Sequence, residues 1–84
     1  MSDFRIRRHG YFLYAPQSVS LLTFADVQSV DIHTALMRSM PDFEDAVVDA
    51  VAERNGASYI LTRNIKDFAG SSVPAITPTE FLKK

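Results

Sequence analysis

The most regular pattern of apolar and polar residues lies in segment 42–68. Its first part has apolar residues at the three- and four-residue spacing of a helix face that is predicted to be buried, namely Phe43, Ala46, Val47, Ala50 and Val51. Asp42 stands before this face as a helix cap, and Gly56 follows it as a stop signal. The pattern predicts a helix from residue 43 to about residue 55.

A short strand and a polar loop are predicted next. Residues 57–62 contain the continuous apolar run Tyr59-Ile60-Leu61, which is typical of a strand covered on both faces. Residues 63–68 form a loop, residues 70–72 a turn, and residues 73–76 a short last strand. Residues 77–81 begin a terminal helix, with Pro78 in its first turn.

The first half of the chain is less regular. Pro16 suits the first turn of a short helix through about residue 24, and residues 25–30 alternate like a short strand. Asp31 is a plausible cap for a helix over residues 32–40, which Pro41 ends. Residues 1–20 are poorly assigned: residues 1–14 fit either a β-hairpin or the tail of a helix stopped by a glycine.

Helices that alternate with short strands predict an α/β fold with a small, mainly parallel sheet and flanking helices. The chain has 84 residues, so the whole of it is expected to form a single domain. A chain of this size buries only about 60% of its unfolded surface. Association into a homo-oligomer is therefore an expected means of stabilisation.

Composition excludes several classes of protein. The chain is 46% hydrophobic, as is usual for a folded protein. Because its formal charge is −1, it has no global basic field of the kind that DNA-wrapping proteins carry. It has no cysteine, which excludes disulfides, thiolate zinc sites and cysteine nucleophiles. No apolar run is long enough to span a membrane, and no signal peptide is recognisable. These features predict a cytoplasmic protein with no membrane partner.

Oxygen-bearing side chains gather at one edge of the predicted sheet. Asn64 and Asp67 follow the strand 59–61, and Asp45 lies in the first turn of a helix that runs antiparallel to that strand. Because ligands bind beyond the carboxyl ends of parallel strands, we expect these three side chains to approach one another. Carboxylate and amide oxygens suit Mg²⁺ or Mn²⁺.

Each of these residues also has a plainer interpretation. Asp42 is interpreted as a helix cap, and Asp45 alone would be a favourable charge near the helix N-terminus. Asn64 and Asp67 are common loop residues that close turns. Asp49 is interpreted as a solvated acid.

Two motifs and the tail of the chain resemble the C-terminal half of PIN (PilT N-terminus-like) domains. The motifs are Phe43-Glu44-Asp45-Ala46, which opens a helix, and Thr62-Arg63-Asn64-Ile65-Lys66-Asp67-Phe68 after an apolar strand. The tail runs from Val73 to Leu82. The likeness is closest to compact bacterial PIN domains that include VapC-like toxins of toxin–antitoxin pairs, and it covers the chain from about residue 20 onwards.

The resemblance implies a Mg²⁺- or Mn²⁺-dependent endoribonuclease with Asp45, Asn64 and Asp67 as catalytic and metal-binding residues. It also implies an RNA substrate and an antitoxin protein as partners. The family's first strand carries an Asp, and a second acid follows on an early helix. Neither has a counterpart here, so the resemblance predicts an incomplete, N-terminally truncated PIN-like domain.

Three functional hypotheses follow. The first is a PIN-type endoribonuclease, in which converging carboxylates hold a metal ion. The second is a non-catalytic PIN remnant that binds a protein partner or a second copy of itself. An exposed apolar sheet face or edge would support this hypothesis. The third is an unrelated small α/β binding module in which the acids are caps and turns.

Overall fold

The computed structural model describes residues 11–16, 18–22 and 26–84. The strands in this part are β1 (Tyr11–Ala15), β2 (Ser18–Leu22), β3 (Tyr59–Leu61) and β4 (Ala75–Ile76). The helices are α1 (Ser29–Leu36), α2 (Phe43–Arg54) and α3 (Pro78–Leu82), with a 3₁₀ turn at Ile65–Phe68. The two alternatives for residues 1–14 fall largely outside the described residues, and the remainder, from Tyr11 onwards, is strand.

The α/β class is confirmed, but the predicted mainly parallel sheet is not. The strand order is β2-β1-β3-β4, and β1 pairs antiparallel with both of its neighbours. Only β3 and β4 are parallel. The sheet is mixed because a hairpin from the first part of the chain occupies the position beside β3, and a short hairpin connection forces antiparallel pairing.

The predictions for the described part of segment 16–30 were wrong, and residues 17 and 23–25 of that segment lie outside the described residues. Pro16 lies in the turn between β1 and β2, where Ala15 pairs with Ser18, and not at the start of a helix. Pairing of β2 along β1 outweighs the weak helical pattern of this segment. Residues 26–28 are not a strand, and α1 already begins at Ser29. The backbone N–H of Gln28 donates to the Asp31 carboxylate at 2.8 Å, which fixes the helix start two residues before Asp31.

The helix and the strand of the segment with the most regular pattern fold as predicted, and the predicted loop contains a 3₁₀ turn. Asp42 caps α2 by accepting a hydrogen bond from the backbone N–H of Asp45 at 3.1 Å. Gly56 ends the helix with φ of +70°, a conformation that a residue with a Cβ adopts only at a cost. Strand β3 spans the predicted apolar run, and α3 begins with Pro78 after the cap Thr77. The last strand has only residues 75–76 of the predicted range 73–76.

Helix α2 is the centre of the core. Val47, Val48, Val51 and Ala52 are all fully buried, and they pack with Tyr11, Leu13, Leu22 and Ile60 of the sheet. Burial extends around most of the helix instead of along one stripe, whereas Phe43, predicted to be buried, is 43% exposed. Helix α1 packs against α2, and it ends at Leu36, four residues before the predicted end. No helix in the described ranges has the length and apolar character needed to cross a membrane.

Candidate functional site

Tyr11 joins the two segments that carry the predicted site residues. It begins β1, and its hydroxyl donates a hydrogen bond to Oδ1 of Asp45 at 2.8 Å. Its ring also meets the ring of Phe68 edge-on, with the centroids 5.7 Å apart. Since β1 is antiparallel to β3, Tyr11 lies at the carboxyl end of β3. The first turn of α2 and the 3₁₀ turn after β3 therefore meet around this tyrosine.

Asp45 is fully buried. A carboxylate at this position is expected to cost several kcal/mol to bury unless its oxygens accept hydrogen bonds. The Tyr11 hydroxyl supplies one such bond, and the first turn of α2 places the carboxylate near the positive end of the helix dipole. Asp45 thus holds β1 against α2, in addition to any role in binding.

Asn64 and Asp67 have a different setting. Asn64 is exposed, and its backbone N–H donates to the hydroxyl of Thr62 at 3.2 Å. Asp67 is half-buried within the 3₁₀ turn, and its own backbone N–H donates to the carbonyl of Asn64. The side chains of these two residues lie in a polar turn at the sheet edge, as the sequence predicted for the loop.

The described residues do not fit a complete divalent-metal site. Mg²⁺ keeps several of its waters and needs oxygens that water can reach, whereas Asp45 is fully buried and accepts a hydrogen bond from Tyr11. Within the described ranges, no three side chains of the His, Cys, Asp or Glu type are grouped so that they could hold an ion. The assignment of Asp45, Asn64 and Asp67 to a metal site stays a prediction.

Asp49 has a structural role that the sequence did not predict. It was interpreted as a solvated acid, yet it is fully buried. Its two oxygens accept hydrogen bonds from the consecutive backbone N–H groups of Ser72 and Val73, each at 2.8 Å. Nε of Arg38 lies 3.5 Å from Oδ2 of Asp49, and Nη2 of the same guanidinium pairs with Glu53. Through these hydrogen bonds, Asp49 connects α2 to the loop that leads into β4.

A second buried acid joins α1 to α2. The two oxygens of Asp31 accept hydrogen bonds from Nε and Nη2 of Arg54 at 2.8 and 2.9 Å. Burial raises the pKa of Asp31, but the hydrogen bonds from Arg54 and Gln28 outweigh burial, so the pKa lies below its ordinary value. The bond with Asp31 in turn raises the pKa of Arg54. This ion pair connects α1 to the C-terminal end of α2, away from the predicted site.

The sheet face opposite α2, here called the outer face, is apolar. Cross-strand pairing places on it Phe12, Tyr14, Val19, Leu21, Tyr59, Leu61 and Ile76. Phe81 of α3 packs on this face, with its ring centroid 4.8 Å from that of Tyr14 on β1. Phe12, Val19 and Leu21 remain 44%, 48% and 51% exposed. An exposed apolar sheet face is the feature expected of an interaction module.

The sequence reasoning missed two residues of this region. Tyr11 is separated from Asp45 by 34 positions, and no local pattern signals such a pair. Asp49 did carry a signal, because it stands among Ala46, Val47, Val48, Ala50, Val51 and Ala52. A helix that is apolar around most of its surface is buried, and so are the acids within it.

Comparisons of this chain with protein-family models, with curated proteins and with solved structures found no match.

Proposed function

We propose that this chain is a PIN-like protein related to the divalent-metal-dependent endoribonuclease toxins of toxin–antitoxin systems, with an impaired nuclease site. The observation that carries the proposal is the order of its elements together with their motifs. The FEDA motif opens α2, the TRNIKDF motif follows β3, and the tail motif spans β4 and α3.

The impairment is inferred from the state of Asp45. Its carboxylate is the one predicted ligand in the helix, and it is buried and engaged by Tyr11. A buried carboxylate that holds two elements together is not free to exchange between a tyrosine and a hydrated ion. The expected consequence is weak or absent metal binding by this chain.

The impairment is tested by melting the chain with and without millimolar Mn²⁺, alongside an assay with single-stranded RNA. We expect no change in the melting temperature and no cleavage above that of Asp45→Asn. A ligand present at about a hundred times its Kd would stabilise the fold by about 2.7 kcal/mol and raise the melting temperature clearly. Such a rise, together with cleavage that Asp45→Asn abolishes and Asp42→Asn retains, would show an intact site.

The relation to nucleases has its own test, because RNA binding does not require a complete metal site. Arg63 and Lys66 are exposed beside Asn64 and Asp67. We expect weak, salt-dependent binding of single-stranded RNA that Arg63→Ala and Lys66→Ala both reduce. Lys83→Ala, which removes a charge near the end of the chain, serves as the control. No RNA binding at low salt would contradict the relation.

The second candidate function is a non-catalytic interaction module, and the exposed part of the outer face favours it. Phe12, Val19 and Leu21 form one patch, because Phe12 pairs directly with Leu21 and Val19 lies two positions along the same strand. Neighbouring exposed apolar side chains on two strands mark a surface that is covered in an assembly. The two candidates are compatible, since a PIN-like scaffold can bind a partner without cleaving RNA.

A further inference from the structure

Strand β2 is an edge strand without the usual protection. It pairs with β1 on one side, and no described strand lies along its other side. Four of its five residues are exposed. Natural edge strands avoid association through charged residues, proline or bulges, whereas residues 18–22 contain no charge and no proline. As far as the described residues show, the backbone N–H and C=O groups on the outer side of β2 are therefore open to a further strand.

The same strand also carries the apolar patch of the outer face. Val19 and Leu21 point to that face, while Ser18 and Ser20 point to the opposite one. A strand added to this edge would bond to the backbone of β2 and cover Val19 and Leu21 in one step. The edge and the patch are thus two parts of a single surface, and an extended polypeptide fits both.

We propose that the occupant is β2 of a second copy, paired antiparallel about a two-fold axis through Ser20. In that register Val19 of each copy faces Leu21 of the other, so apolar residues meet apolar residues twice. Ser20 faces Ser20 at the axis, and no charge meets a like charge because the strand has none. A two-fold interface needs this kind of self-complementary surface.

The arrangement closes after two copies. The other edge of the sheet is β4, which has two residues and offers little for a head-to-tail contact. The paired edges produce a continuous eight-stranded sheet from two four-stranded ones. A contact between two five-residue strands is expected to bury less than the roughly 1,000 Å² of stable interfaces. The dimer is therefore expected to be weak and to form at high micromolar concentration.

Single-cysteine variants test the register, because the parent chain contains no cysteine. Directly opposed residues of antiparallel strands have Cα atoms about 5 Å apart, which lies within the range of a disulfide. Ser20→Cys is therefore expected to form a disulfide-linked dimer under mild oxidation at high micromolar concentration. Ser18→Cys is the matched control, since its two copies would lie roughly 14 Å apart, too far for a bond.

Linkage in Ser20→Cys alone supports the proposed register. Equal linkage of both variants would indicate random collisions, and linkage of neither would show that the strands do not meet. Either result overturns the proposal. Circular dichroism of both variants confirms that the fold is retained, which is expected because both serines are exposed.

Charge variants test the contact by sedimentation. Leu21→Lys is expected to raise the dissociation constant at least about tenfold, since like charges then face one another diagonally across the pair. The double variant Val19→Glu/Leu21→Lys should restore association, because each Glu then faces a Lys of the other copy. A parent chain that stays monomeric at high micromolar concentration, or a Leu21→Lys variant with the dissociation constant of the parent, would contradict the proposal.

This inference names the partner in the second candidate function and rests on it. Its readouts are disulfide linkage and sedimentation, which do not depend on metal or RNA. A failure here leaves the proposed relation to nucleases untouched, and the metal and RNA assays can fail without affecting the dimer.

Discussion

Asp45 and Asp49 lie one helical turn apart on α2, and both are fully buried. Their partners differ in kind: Asp45 accepts from a tyrosine hydroxyl, and Asp49 accepts from two backbone N–H groups. A buried charge is tolerated when its oxygens are bonded in this way. At the scale of single residues, the acids of α2 hold the fold together, whichever further role they have.

Removing the Tyr11 hydroxyl is expected to destabilise the protein. Tyr11→Phe keeps the ring that contacts Phe68 but takes away the donor to Asp45. The loss should be about 1.5–3 kcal/mol in the free energy of unfolding, the range for hydrogen bonds to charged groups. Urea denaturation monitored by circular dichroism measures it.

Tyr14→Phe is the matched control for this experiment. Tyr14 is half-buried on the outer face, where its ring contacts Tyr59 and Phe81. Its substitution should change the free energy of unfolding by less than about 0.5 kcal/mol, as is usual away from buried polar contacts. Equal effects of the two variants would show that the hydroxyl of Tyr11 contributes nothing particular through Asp45.

At the scale of elements, Asp49 connects α2 with the entry to β4. That strand has two residues, so little backbone pairing holds it in the sheet. The hydrogen bonds from Ser72 and Val73 to Asp49 set the position of the chain just before it. The parallel β3–β4 pair therefore depends on a side chain of the helix that covers it.

Asp49→Ala should loosen this connection. It leaves the N–H groups of Ser72 and Val73 without their acceptor, and the bond of Val73 is buried. The expected loss in the free energy of unfolding is about 2–3 kcal/mol. Amide exchange measured by NMR should be faster at Ser72 and Val73 in this variant than in the parent chain. Asp49→Asn keeps one acceptor oxygen and should lose less.

Glu53→Ala provides the comparison for Asp49→Ala. Glu53 also pairs with Arg38, but it is exposed, and exposed ion pairs contribute about 0–1 kcal/mol. Unchanged amide exchange at Ser72 and Val73 in Asp49→Ala would show that the loop is held by other contacts.

At the scale of the whole molecule, the two helices on one face of the sheet are joined by the Asp31–Arg54 pair. Asp31 also receives the backbone N–H of Gln28, so a single carboxylate starts α1 and attaches it to the end of α2. Because this pair spans the α1–α2 layer, its ionisation affects the stability of the entire domain.

The pKa of Asp31 predicts a pH dependence of folding. Its pKa in the folded protein is lowered, so the unfolded state binds more protons in the acid range. The stabilisation is fully present above the unfolded pKa of about 3.9 and is lost as the pH falls through the folded value. Urea denaturation at a series of pH values should show Asp31→Asn to be less stable than the parent at pH 7, with a smaller loss on acidification.

Glu80→Gln is the control for the pH series. Glu80 is exposed on α3, so its substitution should leave the parent profile unchanged. A profile of Asp31→Asn that parallels the parent at every pH would show that Asp31 does not contribute to the acid loss of stability.

The sequence by itself determined most elements of the segment from Asp42 onwards. Helix α2 with its cap and glycine stop, strand β3 and the start of α3 near Pro78 all follow from local patterns, because caps, apolar periodicity and backbone preferences act over a few residues. The polar turn with Asn64 and Asp67 at the end of β3 follows in the same way. These are the parts that a local pattern can predict.

Only the tertiary structure decided the rest. Residues 18–22 became a strand and not a helix because they pair along β1, and β1 made the sheet mixed by lying between β2 and β3. The burial of Asp45 depends on Tyr11, which is 34 positions away. Strand pairing depends on packing between residues far apart in the chain, and the burial of a carboxylate depends on the hydrogen bonds that it accepts. Neither can be read from the neighbouring residues in the sequence.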